Sequence, residues 1–242
     1  MIRTLALICY LFFMLILVMP WLILWSLITG SPDLMYTITM KLVHSSLIIV
    51  GIRVRVEGLE NIPPGACVFT ANHVSNVDPL AFVPSIPRRI SIIGKENIFR
   101  IPILSKAMRL AKFIPVDRTD REAAAESVEL AVQCLKEGLS FAIYPEGTRS
   151  RDGRLLPFKK GAFVIAIQAG APVVPVSIVG AQLLMRKGEW IIRPGEVTIR
   201  FGPAVDASEY TIDRRADLLA RVEALVAAGL PEDQRPLGSA GG

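Results

Sequence analysis

The sequence predicts one α/β domain standing behind an N-terminal membrane anchor. Three observations carry the prediction. An uncharged apolar run fills most of the first thirty residues. The remainder alternates short β-rich runs with helically spaced ones, and neither a repeat nor a low-complexity linker interrupts residues 52–229. With 242 residues, 52% of them hydrophobic, the chain is long enough for one sizeable α/β domain with apolar segments to spare. The expected division is an anchor over 1–51, a domain over 52–229 and a disordered tail over 230–242.

The anchor opens with "LALICYLFFMLILVMPWLILWSLI" (Leu5–Ile28), which has no charge. At ~1.5 Å per residue, a helix of this length covers the ~30 Å hydrocarbon core of a bilayer. A cleaved signal peptide is the alternative, but the run is too long for an h-region and no clear A-x-A-like site follows. Pro20 predicts a kink, because it frees a carbonyl in the preceding turn. A second segment, "LMYTITMKLVHSSLIIVG" (Leu34–Gly51), is interrupted by Lys41 and His44. It suits a partner helix packed on the first or lying at the interface, with His44 an interfacial polar residue. Arg3, Arg53 and Arg55 flank the pair, whereas the connector "TGSPD" carries only Asp33, so both outer ends are expected on the cytoplasmic side. Such a hairpin either crosses the bilayer or dips into one leaflet.

Beyond the anchor, strands are expected at "IRVRVEG", "ACVFTA", "ISIIG", "FIPV", "SFAIY", "VVPVSIV" and "VTIRF". Pro102 opens the helix "IPILSKAMRLAK". Thr119 and Glu122 form a T-x-x-E capping box for the next, in which Val128, Ala131, Val132 and Leu135 keep helical spacing up to Gly138. "FKKGAFVIAIQAG" reads as a buried helix whose start bears Lys159 and Lys160, favourable for anions. The last helix is Asp213–Gly229, with Leu218, Leu219, Val222, Leu225 and Val226 on its apolar side.

Charge and cysteine usage narrow the function. The net charge is +5, and residues 95–160 hold 13 Lys/Arg against 9 Asp/Glu while residues 161–242 hold 8 against 9. The basic surplus thus belongs to one stretch and suits an anionic substrate or membrane surface. No RNP-like aromatic motif or zinc-finger spacing favours nucleic acid. Cys9, Cys67 and Cys134 are scattered and read as buried apolar residues in a reducing compartment. Cys67 lies in "ACVFT" without a basic neighbour to activate it.

The chemistry concentrates in "ANHVSNVD" (Ala71–Asp78). Asp78 stands before Pro79 and an apolar stretch, so one reading makes it an N-cap and His73 a loop residue. The other reading pairs the two. On a straight helix an i,i+5 pair diverges by ~140°, so the chain must turn between them, as a loop entering a helix does. Asp78 then accepts from one imidazole nitrogen and leaves the other as a general base. This is a serine-protease-like pair without the serine, so the nucleophile comes from the substrate. A second motif, "YPEGTRS", offers a tight turn at Gly147, a planar phosphate-matching fork at Arg149 and Glu146 to brace that guanidinium; the alternative is an ordinary turn with a surface ion pair. Lys95 stands near the end of one strand candidate and Arg118 after another, and each alone reads more readily as a solvated surface cation than as a site residue. In "GAPVVPVSIVG" the two prolines point to an edge strand beside the site.

Together these residues resemble the glycerolipid acyltransferase family, in its bacterial 1-acyl-sn-glycerol-3-phosphate branch, over roughly residues 50–205. Four blocks occur in order: H-x4-D on His73 and Asp78, an aromatic-to-Arg block on Phe113–Arg118, E-G-T-R on Glu146, Gly147, Thr148 and Arg149, and V-P-V on Val174–Val176. Lys112 stands where the family often has a small residue, and the two apolar N-terminal segments are similar to the family's membrane-anchoring helix pair. The resemblance implies a single acyltransferase domain with a mixed sheet flanked by helices, acting at the cytoplasmic face of the inner membrane. It implies acyl transfer from acyl-CoA or acyl carrier protein to the sn-2 hydroxyl of lysophosphatidate, with no cofactor and no metal. His73 and Asp78 would be catalytic, with Arg149, Arg118, Lys95, Glu146, Gly147 and Thr148 at the substrate phosphate. Two rivals remain open: acylation of another lysophospholipid, or a non-catalytic module that binds phospholipid head groups. The absence of G-x-S-x-G weakens a lipase reading.

Overall fold

The computed structural model describes residues 1–116 and 121–236. Its long N-terminal helix comprises α1 (Ile2–Phe13), a π-helical turn (Met14–Val18) and α2 (Met19–Thr29). The π turn lies just ahead of Pro20. A proline here cannot donate back to Ile16, and a widened turn makes room for its ring. Gly30, with φ of 70°, closes this helix, and α3 (Asp33–Ile49) returns along it.

Seven strands follow among the described residues: β1 (Ile52–Glu57), β2 (Val68–Ala71), β3 (Ile90–Lys95), β4 (Ile114–Val116), β5 (Ser140–Ile143), β6 (Val173–Val179) and β7 (Gly195–Phe201). Each lies on an expected run. Between them stand α4 (Asp78–Ser85), α5 (Pro102–Leu110), α6 (Arg121–Lys136), α7 (Gly161–Ala169) and the short α8 (Ala181–Leu184), and α9 (Arg215–Ala228) closes the domain. The capping box at Thr119 and Glu122 falls outside the described residues and side chains. The spatial order is β1-β7-β6-β2-β5-β3-β4. All pairs are parallel except β6 with β7, so the sheet is mixed.

Period-2 alternation divides the core in two. Phe69, Ala71, Val174 and Val176 pack with α4 and the N-terminal helices, whereas Val68, Phe141 and Val173 pack with α6, α7 and α9. Leu7, Met14, Met19, Leu22, Met35 and Leu47 belong to the first cluster, so the N-terminal helices are packed into the domain rather than tethered to it. Their outer side leaves Phe12, Phe13, Trp21, Trp25 and Ile28 exposed. Ile2–Thr29, 28 residues, is the one helix among the described residues long and apolar enough to cross a membrane.

Two expectations change. Strand β6 is interior, between β2 and β7, not an edge. Pro175 is tolerated there because its carbonyl accepts from Gly202 N at 2.8 Å, so its nitrogen faces the same side, just past Phe201 where β7 ends. The segment after Pro231 is not a free tail in its first part. Gln234 is buried and its carbonyl accepts from Leu155 N at 2.8 Å, while Arg235 donates to Leu230 O at 3.0 Å.

Candidate active site

Strands β2 and β5 run parallel with Thr70 beside Ile143, so the residues that leave their carboxyl ends meet. The chain places β3, β4 and β5 on one side of β2 and β6 and β7 on the other, which opens a crevice at these strand ends. Asn72 leaves β2 first. Its buried side-chain amide donates to Ile178 O at 3.0 Å and accepts from Ile178 N at 2.7 Å, tying the start of the loop to β6.

The loop then folds around one carboxylate oxygen. Asp78 Oδ2 accepts from Val74 N at 2.7 Å and Ser75 N at 2.8 Å, and lies 2.7 Å from His73 Nδ1. Asp78 does begin α4 ahead of Pro79, but its side chain serves the preceding loop and does not cap the helix. Because two backbone N–H groups already donate to this oxygen, it acts as an acceptor, and Nδ1 carries the hydrogen. Nε2 keeps its lone pair, and no hydrogen bond occupies it among the described residues. The loop-into-helix turn therefore brings His73 and Asp78 together.

Three further contacts fix the histidine. Its N–H donates to Glu146 Oε1 at 2.7 Å and its carbonyl accepts from Ser150 N at 2.8 Å. Its ring stacks on Tyr144, with centroids 4.1 Å apart and planes at 19°. Glu146 does not brace Arg149. The chain enters from β5 with this carboxylate pointing under the His73 loop, where it also accepts from Leu156 N at 3.3 Å. Burial pushes its carboxyl up to about 8, against the two backbone donors that lower it. The Tyr144 phenol is raised well above 10, first by burial and then by the charge of Asp78, and its hydroxyl is buried without a hydrogen-bond partner among the described residues.

Gly147 takes φ of 73°, as its tight turn requires, and a Cβ there would stand 2.9 Å from Lys159 Nζ; the Lys159 ammonium thus lies over the turn. Arg149 is half-buried, and its Nη1 is buried with no hydrogen-bond partner among the described residues, so the guanidinium is not spent on Glu146. Lys187 Nζ donates to Thr148 Oγ1 at 3.1 Å and Arg149 O at 2.6 Å, bracing the turn from the far side. Lys160 is exposed at the N-cap of α7. Lys95 ends β3, with its side chain outside what is described, and Arg118 lies outside the described residues. Lys112, at φ of 61°, pairs instead with Glu137 at 2.7 Å.

Cys67 is fully buried and its thiol is pushed up to about 11 by desolvation; burial also raises Cys134, which is half-buried. Cys9 is exposed on α1, contrary to the expectation that all three are buried. Sequence reasoning overlooked Tyr144, Asn72 and Lys187. Tyr144 had a usable signal, since it leaves β5 directly before the Pro-Glu-Gly turn. Lys187 had none.

This geometry, a His–Asp pair at strand ends with an adjacent basic turn, goes with a matched family. A family model described as Acyltransferase covers residues 53–179, and the chain belongs to that family. Among its relatives, a 1-acyl-sn-glycerol-3-phosphate acyltransferase of Limnanthes douglasii is 35% identical over 192 residues, covering 79% of this chain and 68% of the relative. A protein of the same name from Pseudomonas aeruginosa is 32% identical over 186 residues, covering 76% and 72%. The crystal structure of the 1-acyl-sn-glycerophosphate (LPA) acyltransferase PlsC from Thermotoga maritima matches with a TM-score of 0.81 and 28% identity, over 94% of this chain and 93% of that one.

Proposed function

We propose that this enzyme transfers an acyl group from a thioester, carried by coenzyme A or acyl carrier protein, to the sn-2 hydroxyl of 1-acyl-glycerol-3-phosphate, giving phosphatidic acid. The observation that carries the reading is the Nδ1–Asp78 contact that leaves His73 Nε2 open, in a family whose relatives bear this activity in their names. Nε2 removes the hydroxyl proton as the oxygen attacks the thioester carbonyl. Asp78, Tyr144 and Glu146 hold the ring and loop, and the Asp78 carboxylate stabilises the imidazolium that forms. On collapse of the tetrahedral intermediate, Nε2–H returns the proton to the departing sulfur. Arg149 grips the substrate phosphate, aided by Arg118 and by Lys95 at the end of β3, with Gly147 and Thr148 shaping the turn.

The apolar side of the site supports entry from a bilayer. A cavity of about 380 Å³ lies between the N-terminal helices and the domain, lined by Leu11, Leu15, Met40, Leu80, Val83 and Phe113. Pro79 and Leu80, directly after Asp78 in the chain, belong to its lining, and that apolar lining suits an acyl chain. The N-terminal helices would hold the enzyme in the inner membrane with the domain on the cytoplasmic face, following the flanking arginines. The test is purified protein assayed on a panel of lysophospholipids with acyl-CoA and with acyl-acyl carrier protein. Turnover confined to other head groups would defeat the reading.

A further inference from the structure

The loop Met185–Pro194, between α8 and β7, contains "MRKGEWIIRP" and exposes its largest apolar residue. Trp190 is 75% accessible and Ile191 is also exposed. A lone exposed tryptophan needs no explanation, but this one stands at a junction. Ile192 N donates to Thr4 Oγ1 at 3.1 Å, and Gly195 N donates to Gly51 O at 3.1 Å. Arg3 Nη1 donates to Val50 O at 2.7 Å, which closes the triangle. The loop therefore meets the start of α1 and the end of α3, where Met1, Ile2, Ile48 and Ile49 are exposed too. The loop's flanks are basic: Arg186, Lys187 and Arg193 against Glu189, which pairs with Arg193 at 2.6 Å.

We propose that this loop is a second membrane contact, in which Trp190 and Ile191 lie in the head-group layer of an anionic bilayer where the N-terminal helices enter it. The inference rests on the membrane placement of α1–α3 proposed above. Tryptophan favours this layer because its ring is apolar and its N–H remains hydrated, and the basic flank attracts anionic lipid. The other end of the loop reaches the active site. Ser75 Oγ donates to Met185 O at 2.7 Å, and Lys187 holds the Thr148–Arg149 turn. Seating the loop on the bilayer thus orients both halves of the site toward a substrate whose head group lies in the same layer.

The experiment uses the full chain in phosphatidylglycerol/phosphatidylcholine vesicles, with single-tryptophan versions that retain either Trp190 or Trp25. Quenching of Trp190 by lipids brominated at shallow acyl positions, stronger with phosphatidylglycerol than without, is the expected result. Trp25 quenched by brominated lipid while Trp190 responds only to aqueous iodide would overturn the inference yet leave the anchor standing. Failure of both probes would reject the membrane placement itself. A Trp190 spectral shift on adding acyl carrier protein, with no lipid quenching, would overturn it in favour of a protein-docking surface. Trp190→Ala should lower turnover on vesicle-embedded substrate about tenfold, the scale of one lost large apolar contact, while turnover on detergent-dispersed substrate and the melting temperature stay unchanged. Equal losses in vesicles and detergent would refute the link between loop and site.

Discussion

Asp78 offers a perturbation that separates folding from chemistry. Its Oδ2 accepts two backbone N–H groups and faces His73 Nδ1, and the side chain is fully buried. Asp78→Ala removes the acceptor and leaves the donors of Val74 and Ser75 buried and unpaired. At ~1–3 kcal/mol for each such group, the variant should lose roughly 2–6 kcal/mol of stability, a large share of an ordinary domain's total. Asp78→Asn behaves differently. Its amide oxygen can take the Oδ2 position and satisfy both backbone donors, so the loss of stability should be only the charge assistance, about 1–2 kcal/mol. The negative charge that steadies the imidazolium is gone. Two unit charges ~4 Å apart at an effective dielectric of ~20 interact by ~4 kcal/mol, which predicts roughly a 10³-fold fall in turnover. If the amide rotates and presents its NH₂ to the ring, the wrong tautomer results and the fall approaches ~10⁴, as in the serine-protease case. The assay is turnover on lysophosphatidate beside thermal unfolding of both variants. An Asp78→Asn enzyme that melts near wild type and turns over within about tenfold of it would refute the proposed role of the carboxylate.

His73→Ala should abolish nearly all turnover while lysophosphatidate binding, measured by equilibrium titration, persists; near-normal turnover would sink the mechanism. Arg149→Lys keeps the charge without the bidentate fork and should raise the apparent KM for lysophosphatidate, with Arg149→Ala worse, over roughly ten- to hundredfold and with little change for the acyl donor. An unchanged KM would remove Arg149 from the phosphate site. The Glu146 carboxyl, at about 8 when folded against an ordinary 4.5, binds a proton that the unfolded chain releases between those values. Its contribution to stability is therefore greatest below about pH 4.5, declines as pH rises, and levels off above about pH 8. Glu146→Gln should flatten that decline in melting temperature, and an unaltered slope would place its cause elsewhere. Cys67→Ala and Cys134→Ala should each keep activity and shift stability by no more than about 1–2 kcal/mol; an acyl-thioester trapped on either would contradict single displacement.

Much of the fold was legible because each strand is a short apolar run bounded by turn residues. In α6, Ala131 and Leu135 are buried as their spacing demands. What escaped was long-range. Strand order depends on which runs pair, and nothing local in "VVPVSIV" says that Gly202 lies where the Pro175 nitrogen would otherwise need an acceptor. Burial of Leu7 and Leu47 within the domain core depends on a docking face that a hydropathy pattern cannot distinguish from a lipid-facing one. The Glu146 assignment failed for a similar reason. Three residues apart in "EGTR", a carboxylate and a guanidinium look like partners, but the turn at Gly147 sends them in different directions. The carboxylate meets a backbone N–H 73 residues away.

The five-residue interval between His73 and Asp78 follows from the same geometry. An aspartate at the first turn of α4 can reach back to the amides of residues three and four before it, and one oxygen then collects Ser75 N, Val74 N and the His73 ring. Removing a residue between Val74 and Asp78 would draw the carboxylate past the amides, and adding one would leave the ring beyond its reach. The spacing is therefore a condition on folding the loop before it is a condition on catalysis. The His73 ring is held by the contact that shapes the turn, while Tyr144 and Glu146, delivered by the neighbouring parallel strand, hold the ring face and the backbone. A histidine fixed on three sides by its own domain keeps only Nε2 open, which is the position the proposed mechanism requires for a hydroxyl supplied by the lipid.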